Sequence, residues 1–184
     1  MLDRGTTRSR ATTGYMMKME PIEDIAAFMK QNGLVLVTAE SCTAGLIAAR
    51  LADVPGAGAL LDCAYVVYSC EAKEQCLGVK RETIERFNLT SEEVAREMAE
   101  GALEKSAANL AISNTGVAEA VDDETPPGTQ CFAWAFRTGQ NDDGSAIFSE
   151  THRFSGGRNE VRDAGAHYAL MRVPYYFARL HESS

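Results

Sequence analysis

The feature that most constrains the fold is a short apolar run that leads through a small polar turn into a helical pattern. Leu34 to Thr38 has the sequence LVLVT, follows Gly33 and is typical of a buried strand. The turn Glu40 to Gly45 comes next, and Leu46 to Ala52 has the spacing of a helix. This strand, turn and helix form the repeating unit of α/β sheets, in which ligands bind at the strand ends.

The rest of the chain continues this alternation of helices and strands. Pro21 starts a predicted helix that ends near Asn32, and a capping box of Thr90 and Glu93 starts a longer one that runs to about residue 107. Further predicted elements are a strand over 59–68, a helix over 71–77, a strand over 110–113, a polar loop over 115–127, hairpin strands over 130–137 and 146–153 joined by a turn over 139–144, and a helix over 157–180 that ends or kinks near Pro174. This order predicts an α/β fold with a mixed sheet covered on both faces.

Length and charge set the organisation of the chain and limit its partners. The 184 residues are 45% hydrophobic, which suits one globular domain over 20–184. Residues 1–19 are basic and rich in Thr and Ser, so we expect a disordered leader, with a transit peptide as the alternative. A net charge of −8 without any Lys/Arg cluster argues against nucleic acid, although a small phosphate-bearing ligand stays possible.

Targeting signals and metal-binding patterns are missing from the sequence. No apolar run approaches the roughly 20 residues that span a bilayer, and the first residues lack the apolar stretch of a signal peptide, so we expect a cytoplasmic protein without a membrane partner. The histidines are not at metal-binding spacing, and the cysteines form an odd set without a CxxC pair. We therefore expect neither zinc nor a disulfide framework from Cys42, Cys63, Cys70, Cys76 and Cys131.

Ser41 stands directly after the predicted strand and at the start of the next helix. Free backbone N–H groups at a helix start can hold a developing oxyanion, so a serine at this position suits a nucleophile. Serine is equally a preferred N-cap residue, so a purely structural role is the alternative. Cys42 is a rival nucleophile, although isolated cysteines are commonly buried filling residues.

Lys73 opens the helix that follows Tyr68 at the end of the second predicted strand. A lysine can serve as general base for a serine when desolvation or a nearby cation lowers its pKa. A solvated helix lysine is the plain alternative, and Glu71 is close enough in sequence to neutralise the amine.

Six motifs occur in the order typical of the CinA C-terminal domain, and together they extend from about residue 22 to 172. They are ESCTAGLIA, YSCEAKEQCLGV, SEEVAREMAEGAL, NTGVA, PPGT and FSGGRNEVR. The chain resembles this family, whose enzyme members hydrolyse the carboxamide of nicotinamide mononucleotide to the acid and ammonia without a metal or cofactor. The resemblance implies a three-layer α/β/α domain that forms homodimers or larger oligomers.

Residue by residue, the resemblance places the family's nucleophile on Ser41 and its lysine base on Lys73. Tyr68 and Thr115 match further polar residues of the active site. The positions that match substrate-binding residues are Thr43, Gly45, Gly116, Arg158 and Arg162. A solvated pair beside Glu160 and Asp163 is the alternative for the two arginines.

The chain departs from the family pattern in the loop after Thr115. Family enzymes have a glycine-rich loop there, whose bare N–H groups suit a phosphate, whereas this chain has Glu119, Asp122, Asp123 and Glu124. Carboxylates near a phosphate oppose its binding, by about 1 kcal/mol per near contact in a wet site. Other departures are Ala44 in place of glycine, Cys70 in place of asparagine and Asn114 in place of a small or apolar residue.

Three functions are compatible with these features. The first is a nicotinamide mononucleotide amidohydrolase that uses Ser41 and Lys73. The second is a paralogue that has lost this activity and acts as a ligand-binding or interaction protein. The third is a hydrolase for a carboxamide without phosphate. The acidic loop is the feature that separates them.

Overall fold

A five-stranded mixed sheet forms the middle of the protein. The computed structural model describes residues 21–120, 125–138 and 144–182, so the expected leader and most of the predicted hairpin turn lie outside the described residues. The strands are β1 (Leu36–Glu40), β2 (Leu61–Val66), β3 (Leu110–Gly116), β4 (Thr129–Arg137) and β5 (Ser145–Arg153), and they lie in the order β2-β1-β3-β4-β5. β1 is parallel to β2 and β3, whereas β4 is antiparallel to β3 and to β5.

Helices cover both faces of the sheet. They are α1 (Ile22–Gln31), α2 (Leu46–Ala52), α3 (Cys70–Leu77), α4 (Arg81–Phe87), α5 (Glu92–Glu104), α6 (Arg158–Met171) and α7 (Val173–Glu182). α1, α2, α6 and α7 pack on one face, and α3, α4 and α5 pack on the other. The predicted three-layer α/β/α fold with a mixed sheet is therefore confirmed. None of the described helices is long and apolar enough to cross a membrane.

The two faces of the sheet carry side chains of very different size. Phe132, Trp134 and Phe136 of β4 point toward α6 and α7, whereas Ala133 and Ala135 of the same strand point toward α5. Because a strand alternates its side chains between faces, one strand supplies both surfaces. The small residues let α5 approach the sheet closely, and the hydroxyl of Ser113 donates to the carbonyl of Ala95 at 2.6 Å.

Most predicted elements are present, but several bounds differ. β1 begins two residues later than predicted and includes Glu40, and β3 continues through Thr115 and Gly116, which were predicted to lie in a loop. The N-cap of α5 is Ser91, which accepts the N–H of Val94, so the predicted Thr90 cap was wrong. The predicted break near Pro174 is confirmed, because α6 ends at Met171 and α7 starts at Val173. α4 was not predicted.

Gly101 of α5 tests how closely this helix packs. A Cβ atom at this position would meet the main-chain carbonyl of Leu77 in α3, where only backbone can give way. We expect Gly101→Ala to lower the free energy of unfolding by about 1–3 kcal/mol, although alanine favours helices over glycine. Urea unfolding measures this, with the exposed neighbour Glu100→Ala as the control. Equal stabilities of wild type and Gly101→Ala would contradict the packing described.

Candidate functional site

The candidate residues lie where the strand order reverses. β1 connects to β2 on one side, while β3 pairs with β1 on the other, so a crevice opens at the carboxyl ends of β1 and β3. Ser41 follows β1 directly, and its N–H donates to the carbonyl of Asn114 in β3 at 2.9 Å. This bond fixes the serine at the crevice.

Lys73 reaches Ser41 from the first turn of α3. Ser69 caps this helix by accepting the N–H of Ala72. The Lys73 Nζ atom lies 3.0 Å from Ser41 Oγ, 3.1 Å from the carbonyl oxygen of Val67 and 2.9 Å from that of Tyr68. The amine is thus surrounded by two carbonyls and one hydroxyl.

The environment of Lys73 favours the neutral amine. The side chain is only 1% exposed, and this burial lowers its pKa from the ordinary value, against a smaller opposing effect of Cys70. In the described part of the chain no carboxylate forms an ion pair with Nζ, because Glu71 lies beside Arg81, 3.5 Å away. Neither a solvated lysine nor a lysine neutralised by Glu71 fits this arrangement.

A neutral amine has two hydrogens and one lone pair, which matches the three neighbours of Nζ. The carbonyls of Val67 and Tyr68 accept the two hydrogens. In this neutral form the lone pair of Nζ is left to accept the hydrogen of the Ser41 hydroxyl. The geometry therefore suits a lysine that acts as general base toward this serine.

Ser41 is not the cap of α2. The carboxylate of Glu40, which is fully buried, accepts the N–H groups of Gly45, Ile47 and Ala48 at 2.8, 3.1 and 3.0 Å. This role of Glu40 was not predicted. The sequence pattern that could have predicted it is an acidic residue at the end of a buried strand and shortly before a helix, where a carboxylate has backbone N–H donors within reach.

The turn after Ser41 uses the N–H groups that were predicted to face a substrate. The N–H of Thr43 donates to Asn114 Oδ1 at 3.0 Å, and that of Gly45 donates to Glu40. Both N–H groups thus have acceptors within the protein, and neither Thr43 nor Gly45 is among the described residues that line the cleft. Cys42 is the residue of this turn whose backbone N–H has no acceptor within the described ranges.

Asn114, a departure from the family pattern, links this turn to α6. Its side-chain amide donates to Gln130 Oε1 at 2.7 Å, and Gln130 donates onward to the carbonyl of Val161 at 3.2 Å. Asn114 and Gln130 are fully buried. The departure is thus accommodated by a buried chain of polar groups, which sequence spacing did not reveal.

The two arginines of α6 have different roles. Arg162 donates to the carbonyls of Cys42 and Thr43 at 2.9 and 3.3 Å, so it holds the turn. The resemblance placed Arg162 among the substrate-binding residues, but it is not among the described residues that line the cleft. Arg158 lines the cleft, and its Nη1 lies 3.4 Å from Glu119 Oε2. Asp122, Asp123 and Glu124 lie outside the described residues.

A cleft of about 320 Å³ opens over Ser41 and Lys73. Tyr68 stands at its mouth with 54% of its surface exposed, and the buried Thr115 donates its hydroxyl hydrogen to the carbonyl of Leu89 at 2.8 Å. The residues that line the cleft are Ser41, Cys42, Tyr68, Lys73, Asn88, Leu89, Thr90, Thr115, Gly116, Val117, Ala118, Glu119, Thr125 and Arg158. The structure thus brings Ser41, Tyr68, Lys73, Thr115, Gly116 and Arg158 together around one cleft.

Cys42 lines the same cleft but is a poor rival nucleophile. Its side chain packs against Ala118 and Val161, and burial raises the pKa of the thiol despite nearby Arg162 and Arg158. A thiol with a raised pKa is rarely a thiolate, which is the reactive form. Within residues 21–120, 125–138 and 144–182, no three His, Cys, Asp or Glu side chains cluster closely enough to hold a metal ion.

The fold and the cleft define an α/β protein with a serine and a buried lysine at the switch point of a mixed sheet. Comparison with known proteins names the family. The profile described as the CinA C-terminal domain matches residues 19–176, and the chain belongs to that family.

Relatives and solved structures agree with this assignment. The nicotinamide-nucleotide amidohydrolase PncC of Escherichia coli K12 is 37% identical over 157 residues, which cover 84% of this chain and 92% of that protein. A CinA-like protein of Chlorobium limicola is 42% identical over 157 residues, or 84% of this chain, but the chain spans only 36% of that protein's length. The crystal structure of the competence damage-inducible protein A from Klebsiella pneumoniae superposes with a TM-score of 0.79 at 33% identity, covering 87% of this chain and 96% of that one.

The burial of Lys73 makes stability depend on pH in a defined direction. The pKa of Lys73 is lowered from 10.5 in the folded protein. Between the pKa of the folded protein and that of the unfolded chain, the unfolded chain binds a proton that the folded protein does not. The free energy of unfolding therefore rises with pH in this range, by up to about 1.4 kcal/mol per pH unit. We expect wild type to gain stability relative to Lys73→Met as the pH rises toward 10.5, as measured by urea unfolding.

The matched control replaces an exposed lysine of α1, Lys30→Met. Its stability difference from wild type should not change over the same pH range, because the exposed side chain of Lys30 stays in solvent when the chain folds. A wild-type advantage over Lys73→Met that stays constant with pH would show that the buried amine keeps its ordinary pKa.

Proposed function

We propose that this protein is an amidohydrolase that converts nicotinamide mononucleotide to nicotinate mononucleotide and ammonia, with Ser41 as nucleophile and Lys73 as its base. The observation that carries the proposal is the 3.0 Å approach of a buried lysine amine to a serine hydroxyl in a cleft. Family membership and the name of the E. coli relative support the reaction type and the substrate.

The reaction proceeds in two halves. Lys73 Nζ takes the proton of Ser41, and Oγ attacks the carboxamide carbon to give a tetrahedral oxyanion. Nζ then returns the proton to the leaving nitrogen, which departs as ammonia and leaves an ester on Ser41. A water, deprotonated by the same amine, attacks the ester, and the proton passes back to Oγ as the acid leaves.

We assign the backbone N–H of Cys42 as a donor to the oxyanion. It belongs to the residue directly after the nucleophile, lines the cleft and has no acceptor within the described ranges. An N–H that is fixed before the reaction stabilises developing charge without reorganisation. The three backbone N–H bonds that Glu40 accepts and the two bonds that Arg162 donates hold the turn in place for this role.

Thr115 and Tyr68 are proposed to contact the substrate. The Thr115 hydroxyl donates to Leu89, so its oxygen is left to accept a hydrogen from the carboxamide nitrogen. The ring of Tyr68 at the mouth of the cleft offers an aromatic face for the pyridinium ring. Gly116 supplies cleft wall without a side chain.

We also propose that residues 20–184 form one domain that works in the cytoplasm as a homodimer or larger oligomer. Size-exclusion chromatography with light scattering tests the oligomeric state, and a mass equal to one chain would contradict it.

Ammonia release tests the reaction directly, with nicotinamide mononucleotide, nicotinamide riboside and nicotinamide in parallel. Turnover of the mononucleotide supports the proposal. No ammonia release from any of the three compounds would favour the alternative of a paralogue that binds ligands without hydrolysing them. Turnover of the riboside alone would favour a hydrolase for carboxamides that lack phosphate.

Ser41→Ala and Lys73→Ala should each lower kcat by about 10³-fold or more, and the double variant should be little worse, because the two residues act as one unit. Circular dichroism should show that each variant keeps its fold. Cys42→Ala should retain most of the rate, since only its backbone N–H is assigned a role. Near-wild-type turnover by Ser41→Ala would refute the assigned nucleophile.

The rate should rise with pH, because only the neutral form of Lys73 can accept the serine proton. The pKa of this amine is lowered from 10.5 by burial, so the rise should reach its plateau below that value. Activity should be lost as the pH falls through the pKa of Lys73. A pH series of kcat measures this, and a rate that is flat or falls as pH increases would contradict a lysine base.

A further inference from the structure

Basic and acidic side chains are few in the described part of the cleft wall. They are Lys73, Arg158 and Glu119. The amine of Lys73 is engaged by Ser41 and two carbonyls, so Arg158 is the cation left for an anionic part of a substrate. Arg158 in turn lies beside Glu119, at 3.4 Å. The positive charge available to a substrate in the described part of the cleft therefore depends on the ion pair between Arg158 and Glu119.

The ion pair between Arg158 and Glu119 is weak enough for another anion to replace Glu119. Both side chains are about half exposed, and the contact is long for a charge-assisted hydrogen bond. Exposed pairs of this kind contribute about 0–1 kcal/mol, so a group with more negative charge can displace the carboxylate. A phosphate is such a group, because it carries more charge than a carboxylate and binds a guanidinium through two parallel hydrogen bonds.

We propose that Glu119 sets the selectivity of the cleft between phosphate-bearing and phosphate-free carboxamides, by competing with the substrate phosphate for Arg158. The inference rests on the proposed function for the carboxamide end of the substrate. Arg158 is the phosphate-binding residue, and Glu119 weakens phosphate binding at that position. Nicotinamide mononucleotide and nicotinamide riboside differ only in this phosphate, so they are the matched probes.

The position of the two residues in the chain supports this role. Glu119 follows β3 by three residues, and Arg158 is the first residue of α6, so the pair joins the two segments that flank Ser41. Both residues line the same cleft as Ser41 and Lys73. A phosphate bound to Arg158 would thus belong to a ligand whose other end lies over the serine.

The test compares kcat/KM for the two ligands in Glu119→Gln, Arg158→Gln and the double variant. Glu119→Gln should raise the ratio of mononucleotide to riboside about five-fold at low ionic strength and by less at high ionic strength, because salt screens the competing charge. Arg158→Gln should lower this ratio. The double variant should match Arg158→Gln, because Glu119 acts through the arginine.

Glu23→Gln is the control for a loss of one negative charge, because α1 contributes no described residue to the cleft. It should leave the ratio at the wild-type value. Equal changes for both ligands in Glu119→Gln, or a double variant that behaves like Glu119→Gln, would overturn the inference.

Binding is measured separately from turnover, so that the inference and the proposed function can fail independently. Calorimetric titration of each ligand into Ser41→Ala and Ser41→Ala/Glu119→Gln proteins should show tighter mononucleotide binding in the second. This result without any ammonia release by wild type would refute hydrolysis and keep the selectivity role of Glu119. Ammonia release by wild type, together with affinities that Glu119→Gln does not change, would support hydrolysis and refute the selectivity role of Glu119. Binding of neither ligand would also overturn the inference.

Discussion

The amine of Lys73 is held inside the protein by two main-chain carbonyls and one hydroxyl, without a carboxylate among the described residues. Burial of a charge costs free energy unless a counter-charge lies nearby, so the neutral form is favoured. The rest of the site follows from this constraint. The carbonyls of Val67 and Tyr68 must face Nζ, so the end of β2 and the start of α3 are fixed, and Ser41 must meet the remaining lone pair.

Glu40 shows the second way in which this fold places an ionisable group in its interior. Its carboxylate is fully buried and accepts three backbone N–H groups at the start of α2. The groups that orient the turn and the groups that would react with a substrate are therefore different. Glu40, Asn114 and Arg162 hold the turn from three directions, while Ser41 and Lys73 remain accessible to the cleft.

The fold was predictable from the sequence because each buried strand and amphipathic helix has its own local pattern. The short α4 was missed because its seven residues include only two apolar side chains, Ile84 and Phe87. The pairing of Ser41 with Lys73 came from the family resemblance, since spacing alone left a cap and a solvated lysine as alternatives. The roles of Glu40 and Arg162 depend on hydrogen bonds between segments that only the folded chain brings together, and periodicity carries no information about such bonds.

The turn that presents Ser41 is completed late in the chain. Its clamps include Asn114 in β3 and Arg162 in α6, which lie 71 and 120 positions away from their partners Thr43 and Cys42. During synthesis from the N-terminus, the serine is therefore made long before the residues that fix its geometry. Arg162 can hold Cys42 and Thr43 only after residue 162 has been synthesised, so the turn that carries Ser41 gains this contact after most of the sheet has been made.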